Sequence, residues 1–441
     1  MNAPVHHAVE YYLGEFSRLA PALPGQHLPW LRRAREAAME RFARLGFPGR
    51  RDEEWKYTPL AAIEKPHFAL VPSAPGSVAA EQVEGFALAG THLLVFVNGR
   101  FEPGLSRPEK LPAGATVVSL REALEGDAGE LAARLGRVPE NVTPFAALNQ
   151  AFMTDGAYLR LAPGTKLLKP IQLLFLASQP NLAIQPRILV LAEEGSAATL
   201  IEHHAAIGDI GYFTNGVTEI VACPGAAIEH HKLQQESRRA FHVAAVVAEQ
   251  DRDSRLASTS FALGAALARV DIAIGLQGEG AACTLDGLYV AVGRQHLDHH
   301  TRIDHLKPRC RSRELYKGIL SGAARAVFNG KVIVHPDAQQ SDAFQSNHNL
   351  LLSENAEVDT KPQLEIFADD VKCGHGATVG QLDEDQLFYL RSRGVDGGTA
   401  RAVLTMAFAR ESVDRVGIPA LQKRLDQLLP ALLPRESEGQ T

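Results

Sequence analysis

Short apolar segments of strand length recur along this chain from about residue 145 to residue 376, with turn-forming residues between them. The segment VIV at residues 332–334, for example, lies between an Asn-Gly pair and a His-Pro-Asp turn, and residues 171–176 and 188–191 form similar apolar segments. No convincing long helical pattern interrupts this stretch. The pattern predicts a mainly β protein with a β-rich core over residues 141–378.

Internal near-repeats indicate how these strands are arranged. The tetrapeptide IEHH at residues 201–204 recurs at residues 228–231, and DHH at residues 298–300 is a looser third copy. Equivalent segments tens of residues apart are typical of a parallel β-helix, in which stacked coils bury each other's apolar faces. A β-sandwich is the alternative, but it should show hairpins every 8–12 residues without such distant repeats. Small-residue turns also precede many strands, at residues 195–198, 225–227, 280–282 and 322–324.

The region before this core, residues 1–140, is predicted to be mostly helical. Residues 30–45 have helical apolar spacing and end at Gly46, and residues 120–135 show a second such pattern. Residues 93–97, followed by Asn-Gly, predict a strand and a tight turn. The motif EEWKYT at residues 53–58 is interpreted as a capping segment that packs Trp55 and Tyr57 against the neighbouring domain.

The region after the core, residues 379–441, is predicted to contain three helices. The first follows an acidic first turn at residues 383–385 and ends at Gly394. The second opens at residues 397–399, and Pro419 suits the first position of the third.

Composition and charge exclude several classes of function. The net charge of −6, from 45 basic and 51 acidic residues, gives no reason to expect binding to nucleic acid or to an anionic membrane. The four cysteines are far apart and form no CxxC pair, which fits a reducing cytoplasm. We also expect no signal peptide in residues 1–16 and no membrane-spanning segment.

One cysteine and one histidine stand out where the β-rich core ends. Cys373 and His375 are two positions apart, so in a strand they share a face and lie about 7 Å apart. A thiolate and an imidazole can bind an iron or sulfur species, but two ligands do not complete a metal site. A buried cysteine beside a hydrogen-bonded histidine is the structural alternative. The flanking Gly374 and Gly376 should leave the opposite face bare.

The histidine pairs of the near-repeats are weaker candidates. Adjacent strand residues face opposite ways, so one pair cannot chelate an ion from a straight strand. We expect one histidine per coil to stack on the solenoid surface instead of forming a metal site.

Motifs for independent catalysis do not occur in the sequence. It contains no GxxxxGK[ST] nucleotide loop, no GxGxxG, no HExxH and no GxSxG. A stand-alone carbohydrate-active β-helix enzyme would need clustered carboxylates on one coil face. Near Cys373 and His375, the only candidates are Glu365, Asp369 and Asp370. A pure interaction protein whose cysteine and histidine are structural is the third possibility.

Residues 364–394, LEIFADDVKCGHGATVGQLDEDQLFYLRSRG, resemble the SufB/SufD family of subunits of the bacterial iron–sulfur cluster assembly scaffold. The upstream segments LYKGIL, AVFNGKVIV and NHNLLLSENAEVDTKPQ and the N-terminal EEWKYT share the resemblance. The cysteine of CGHGAT, which the SufB branch lacks, makes the chain similar to the SufD branch, with a SufB-type subunit as the alternative.

The resemblance implies a right-handed parallel β-helix between helical ends, acting as a non-catalytic cytoplasmic scaffold. It implies a complex with SufB, through β-helix pairing, and with the ATPase SufC, through the C-terminal helices, and it allows a homodimer when the chain is alone. His375 would lie where a nascent cluster forms with SufB, and Cys373 matches the same motif with a less defined role. Reduced flavin is associated with the assembled complex, without a flavin motif here, and no cofactor is expected to bind this chain stably. The candidate contacts to SufC are Leu387, Leu390, Leu404 and Phe408.

Overall fold

The structure is a computed structural model that describes residues 6–65, 67–71, 78–126, 128–136 and 143–433. Two sheets of ten strands each dominate it. From β8 onward, even-numbered strands belong to the first sheet and odd-numbered strands to the second. The strands are β1 (His92–Val97), β2 (Arg100–Phe101), β3 (Ala115–Ser119), β4 (Gly156–Leu161), β5 (Ile171–Ala177), β6 (Ala183–Ile184), β7 (Arg187–Ala192), β8 (Ala197–Ala206), β9 (Phe213–Ala222), β10 (Ala227–Gln235), β11 (Phe241–Gln250), β12 (Arg255–Ala262), β13 (Leu267–Leu276), β14 (Ala282–Ala291), β15 (His296–His305), β16 (Arg311–Leu320), β17 (Arg325–Val334), β18 (Ser341–Leu351), β19 (Glu357–Ile366) and β20 (Val371–Gly380).

Helices flank the sheets in the chain. They are α1 (His6–Leu19), α2 (Pro29–Leu45), α3 (Ala61–Glu64), α4 (Ala80–Glu84), α5 (Leu120–Glu125), α6 (Gly129–Arg134), α7 (Pro144–Phe152), α8 (Glu384–Ser392), α9 (Gly397–Asp414) and α10 (Pro419–Leu432), with 3-10 turns at Ala20–Ala22 and Glu53–Trp55. No helix in these described ranges combines the length and the apolar character needed to cross a membrane.

The strands form a parallel β-solenoid, which confirms the predicted stacked-coil fold over the sandwich. Each coil adds one strand to each sheet, and Ala197, Ala227, Arg255 and Ala282 pair in succession along the first sheet. The intervals between these positions are unequal, so successive coils differ slightly in length. Because the strands from β8 onward are parallel and each connection there crosses to the other sheet, the interior between the sheets is one continuous core.

The near-repeated IEHH segments are not structurally equivalent, although they belong to neighbouring strands. The distance in sequence between the two segments is shorter than one coil. His231 therefore pairs with Ile201 and not with His204. The offset is an odd number of positions, and an odd offset reverses the face on which each side chain lies. The turns are the true repeat, because a Cβ added to Gly225 would lie 3.9 Å from the Cα of Gly195 on the coil below.

The expectation that histidines stack on the solenoid surface is wrong. His204, His230 and His299 point into the interior, where they contact Phe175, Ser258 and Tyr289 respectively. Their neighbours His203 and His231 face outward yet are 0% and 4% exposed. Adjacent residues do face opposite ways, as expected, but the helical regions cover the outer face of these coils, so both faces are buried.

The N-terminal region, residues 1–140, contributes to the solenoid as well as to its cover. β1 pairs in parallel with β5, and β3 pairs antiparallel with β4, so the sheets begin within the region expected to be mostly helical. The predicted helix over residues 30–45 is confirmed as α2. The helix predicted over residues 120–135 is wrong as one element, because Gly126 has non-helical dihedral angles and ends α5 before α6 begins. A nine-residue helix, α7, precedes β4 and is almost wholly buried, which the sequence pattern did not indicate.

The segment around Trp55 fastens the N-terminal region to the solenoid. Trp55 is 4% exposed, and the guanidinium of Arg269 lies 3.6 Å from its ring centroid. Arg269 also donates a hydrogen bond to Asp298 at 2.9 Å and one to the backbone oxygen of Glu54. The capping interpretation is confirmed for Trp55 but wrong for Tyr57, which is 42% exposed.

The three C-terminal helices form as expected. Asp383 and Asp396 cap α8 and α9 by accepting hydrogen bonds from backbone N–H groups, and α10 begins at Pro419. α9 and α10 pack against the outer face of the first sheet, in a cluster where Leu421 and Leu425 meet residues such as Leu233.

The substitution Trp55→Ala should lower the free energy of unfolding by about 3–5 kcal/mol, because it removes a large buried side chain and the partner of the Arg269 guanidinium. Tyr57→Ala is the matched control and should change it by less than about 1 kcal/mol, since that ring is largely solvated. Urea unfolding followed by circular dichroism measures both. Equal effects of the two substitutions would contradict the assignment of Trp55 as the fastening residue.

Candidate functional site

The solenoid ends with two long strands, each of which pairs with one other strand among the residues that the structure describes. β20 is the last strand of the first sheet and pairs with β18, and β19 is the last strand of the second sheet and pairs with β17. Each has ten residues, nearly all half-buried or exposed, whereas the strands beneath are largely buried. We call the surface formed by β19 and β20 the open end.

The two edges differ in how strongly they resist pairing. Natural proteins protect edge strands with proline, charge or bulges. β19 carries Pro362, a residue that sheets tolerate at edges because it donates no hydrogen bond. β20 contains no proline, and Lys372 is its only charged residue unless His375 is protonated. Its edge is therefore available to a strand of another chain.

Cys373 and His375 lie on β20 with their side chains on the interior side of the open end. They pair with Ala343 and Gln345 of β18, two residues whose side chains are fully inside the solenoid. Cys373 is half-buried and packs against the main core, whereas His375 is exposed. The strand places Cys373 and His375 on one face, where the interior of the solenoid meets solvent.

The two flanking glycines have different surroundings. A Cβ on Gly374 would lie 3.1 Å from the Phe344 ring, so that position is already covered. A Cβ on Gly376 would meet nothing within 4 Å. The expected bare face is present at Gly376 and absent at Gly374.

The protonation of Cys373 limits what it can do alone. Burial raises the pKa of its thiol, Asp342 adds to that effect, and a hydrogen bond with the Ala343 backbone partly opposes it. At neutral pH the group is therefore mainly a thiol, and a metal must displace its proton in order to bind.

The open end holds only part of a metal-binding set. Among the described residues, the one group of three or more histidine, cysteine, aspartate or glutamate donors close enough to share an ion lies elsewhere in the solenoid. A metal usually takes three or four protein ligands. Further ligands for Cys373 and His375 would have to come from another molecule.

A buried carboxyl group, that of Glu314, lies two coils before His375 and faces the interior at the same register position. Gln345, the strand neighbour of His375, donates a hydrogen bond to Glu314 at 2.5 Å. Glu314 is 5% exposed, and burial raises its pKa to about 7. Sequence reasoning missed this acid. The signal was its alternation with Ser312 and Tyr316 on β16, which places it inside.

Large apolar side chains surround the open end and are exposed to solvent. Such clusters mark interaction surfaces more often than scattered single residues do. They are Phe344, Ile366, Phe367 and Val379, exposed by 46%, 43%, 61% and 49%.

The C-terminal helices expose different residues from those proposed as contacts. Leu387 is buried, and Leu390, Leu404 and Phe408 are half-buried, with Phe408 lying under the Lys317 ammonium. Their role in binding a partner stays a prediction. Helical spacing selected the residues that pack inward, and it missed the exposed ones, which are Phe388, Tyr389 and Val403 at 74%, 57% and 49% exposure.

Comparison with known proteins agrees with this architecture. Residues 175–408 match the family described as "SUF system FeS cluster assembly, SufBD core domain", and residues 7–173 match the SufBD protein N-terminal region. An iron–sulfur cluster assembly SufBD family protein of Synechocystis sp. is 37% identical over 89% of both chains. A SufBD family protein of Mycobacterium leprae is 27% identical over 92% of this chain and 95% of its own.

The chain therefore belongs to the SufBD family of iron–sulfur cluster assembly proteins. The iron–sulfur cluster assembly protein SufD of Escherichia coli is 34% identical over 89% of this chain and 92% of its own. That similarity supports a SufD-type subunit, and the relatives carry the names of assembly proteins rather than of enzymes.

The raised pKa of Cys373 predicts how its alkylation depends on pH. The thiolate is the reactive form, so the rate with iodoacetamide should rise roughly tenfold per pH unit from pH 7 to pH 9. The buried Cys283 and Cys310 should stay unmodified in the folded chain and serve as internal controls. Peptide mass spectrometry identifies each site. A rate for Cys373 that levels off below pH 8 would contradict the raised pKa.

Proposed function

We propose that the chain is the SufD-type scaffold subunit of a complex with SufB and the ATPase SufC, in which nascent iron–sulfur clusters assemble as cargo. The observation that carries the proposal is the open end. Cys373 and His375 form an incomplete ligand set there, beside a strand edge that can accept another chain. A second protein that pairs with this edge would bring the missing ligands to the same place.

Pairing with SufB would use the unpaired edges of β19 and β20. Strand addition satisfies backbone N–H and C=O groups that otherwise face solvent, and side chains beside the edge provide specificity. The exposed Phe367 and Val379 are positioned to be buried by such a partner. The same unpaired edge supports a homodimer when SufB is absent.

Docking of SufC would use the C-terminal helices, where Phe388 and Tyr389 are exposed. The sequence of this chain has no nucleotide loop, so ATP hydrolysis would occur on the partner. Glu411 of α9 pairs with Lys317 of β16 at 2.7 Å, and Arg415, just after α9, pairs with Asp286 of β14 at 3.4 Å. A movement of the helices on ATP binding would therefore be transmitted to β14 and β16 and would twist the solenoid pair. Reduced flavin would bind the assembled complex, in the cytoplasm.

The variant His375→Ala should lower the cluster content of the anaerobically purified complex by at least about tenfold, because it removes a ligand at the assembly site. His348→Ala is the matched control, since His348 is on β18 with its side chain on the opposite face. Iron and sulfide analysis measures the result, and gel filtration verifies that the complex is intact. Unchanged cluster yield in an intact complex would reject the ligand role.

Two double substitutions should separate the two interfaces. Phe388→Ala with Tyr389→Ala should weaken SufC binding at least about 30-fold and leave SufB binding unchanged, as expected for exposed aromatic anchors. Phe367→Ala with Val379→Ala should weaken SufB binding and leave SufC binding unchanged. Titration calorimetry with each partner gives the affinities. Loss of both partners in either variant, with the fold intact by circular dichroism, would contradict separate docking surfaces.

A further inference from the structure

The interior of the solenoid contains charged side chains where the chain passes from the first sheet to the second. β8 and β10 direct Glu202, His204 and Lys232 inward, Glu236 follows β10, and β11 directs His242 inward. All five residues are 5% exposed or less. We call them the interior polar cluster. It lies several coils away from the open end.

Three members of this cluster have the spacing of metal ligands. One nitrogen each of His204 and His242 and one carboxylate oxygen of Glu236 all lie within 4.8 Å of one another. The two imidazole rings are 4.9 Å apart at an interplanar angle of 74°. Donors bound to one ion by bonds of about 2.1 Å lie roughly 3.4 Å apart in tetrahedral geometry, so small side-chain rotations would close the set.

Hydrogen bonding prepares His204 to act as a ligand. Its Nε2 lies 2.7 Å from Oε1 of Glu202, and Lys232 pairs with the same carboxylate. Because the ionised Glu202 only accepts, Nε2 carries the proton, and Nδ1 of the neutral ring presents a lone pair. A carboxylate that fixes a histidine in this way is the usual support behind a metal-bound imidazole.

The other two residues are similarly prepared. Glu236 accepts hydrogen bonds from Thr214 at 2.7 Å and from Gln234 at 3.0 Å, which hold its carboxylate in place. Nδ1 of His242 lies 2.8 Å from Oε2 of Glu236 without hydrogen-bond geometry, and Nε2 has no hydrogen-bond partner among the described residues. A fully buried imidazole nitrogen without a partner, such as Nε2 of His242, is costly unless a further group binds it.

Space and charge both suit a bound cation. A cavity of about 10 Å³, room for about one water-sized group, is lined by His204, Tyr212, Thr214 and Glu236 among others. Two carboxylates, Glu202 and Glu236, face one lysine in the cluster, which leaves one negative charge uncompensated when the imidazoles are neutral. A buried unpaired charge is strongly unfavourable, and a bound cation would offset it.

We propose that His204, Glu236 and His242 bind one divalent first-row transition-metal ion, zinc or iron(II), inside the solenoid. Two imidazoles and one carboxylate are a donor set that proteins use for both ions, while calcium and magnesium prefer oxygen ligands only. The ion joins a strand of each sheet at the edge where the chain crosses between them. It is a structural ion, separate from the cluster cargo at the open end.

The test uses the full chain carrying Cys373→Ser and His375→Ala, so that the open end cannot contribute ligands. The chelator-treated protein is titrated anaerobically with zinc, iron(II) or cobalt(II), and bound metal is measured by elemental analysis after gel filtration. Glu236→Gln and His242→Asn remove ligands, and His231→Asn is the matched control, a buried histidine on the outer face of β10. One metal per chain is expected, with affinity at least about tenfold weaker in both ligand variants and unchanged in the control.

Cobalt(II) keeps the test decisive if a ligand variant fails to fold. In the otherwise native chain without its open-end ligands, cobalt should give visible d–d bands without thiolate charge transfer, and zinc should raise the melting temperature. No retained metal, a thiolate spectrum, or equal affinity in folded ligand variants would overturn the proposal. Since the open end is already disabled, none of these results bears on cluster assembly there.

Discussion

Backbone hydrogen bonding between coils is the constraint on which the rest of this structure depends. Each strand of the stacked coils obtains its partners from the coils before and after it, so among the described residues the long unsatisfied edges lie on the first and last strands of the sheets. At one end the terminal strands are β2 and β3, of two and five residues, which run antiparallel to their partners. Short edge strands resist further pairing. At the other end, β19 and β20 have ten residues each, all of them half-buried or exposed, so the capacity to bind another chain is concentrated there.

The sequence predicted the solenoid through features of unequal value. The turn glycines, such as Gly195 and Gly225, are true structural repeats, because adjacent coils meet closely at these positions. The IEHH segments led to the same fold although they are out of register with each other. Short apolar segments between turn residues therefore identified the strands. Coil length, which decides which residues become neighbours, is set by turn conformation and could not be read from spacing alone.

The functional residues likewise divide into those that local spacing predicts and those that come together only through the register of neighbouring coils. Strand periodicity was enough to place Cys373 and His375 on one face, since that inference needs no knowledge of neighbouring coils. The interior polar cluster could not be predicted, because Glu202 and Lys232 belong to different coils and meet only through register. Outward histidines such as His203 become buried only because the helical regions cover that part of the sheet. Exposure of Phe388 rather than Leu387 likewise depends on how α8 packs, which helical spacing does not specify.

The unequal lengths of the coils have a consequence for how this family can diverge. Successive coils stack without disturbing the ladder because the difference in length is absorbed in the turns, at positions such as Asp253, which adopts a left-handed conformation. A difference of a few residues in a turn therefore leaves the pairing of the strands that follow it undisturbed. Within β20, the direction of the side chains depends on whether the number of inserted residues is odd or even. One residue inserted between the start of the strand and Cys373 would turn the thiol and the imidazole outward together, whereas two would restore their direction.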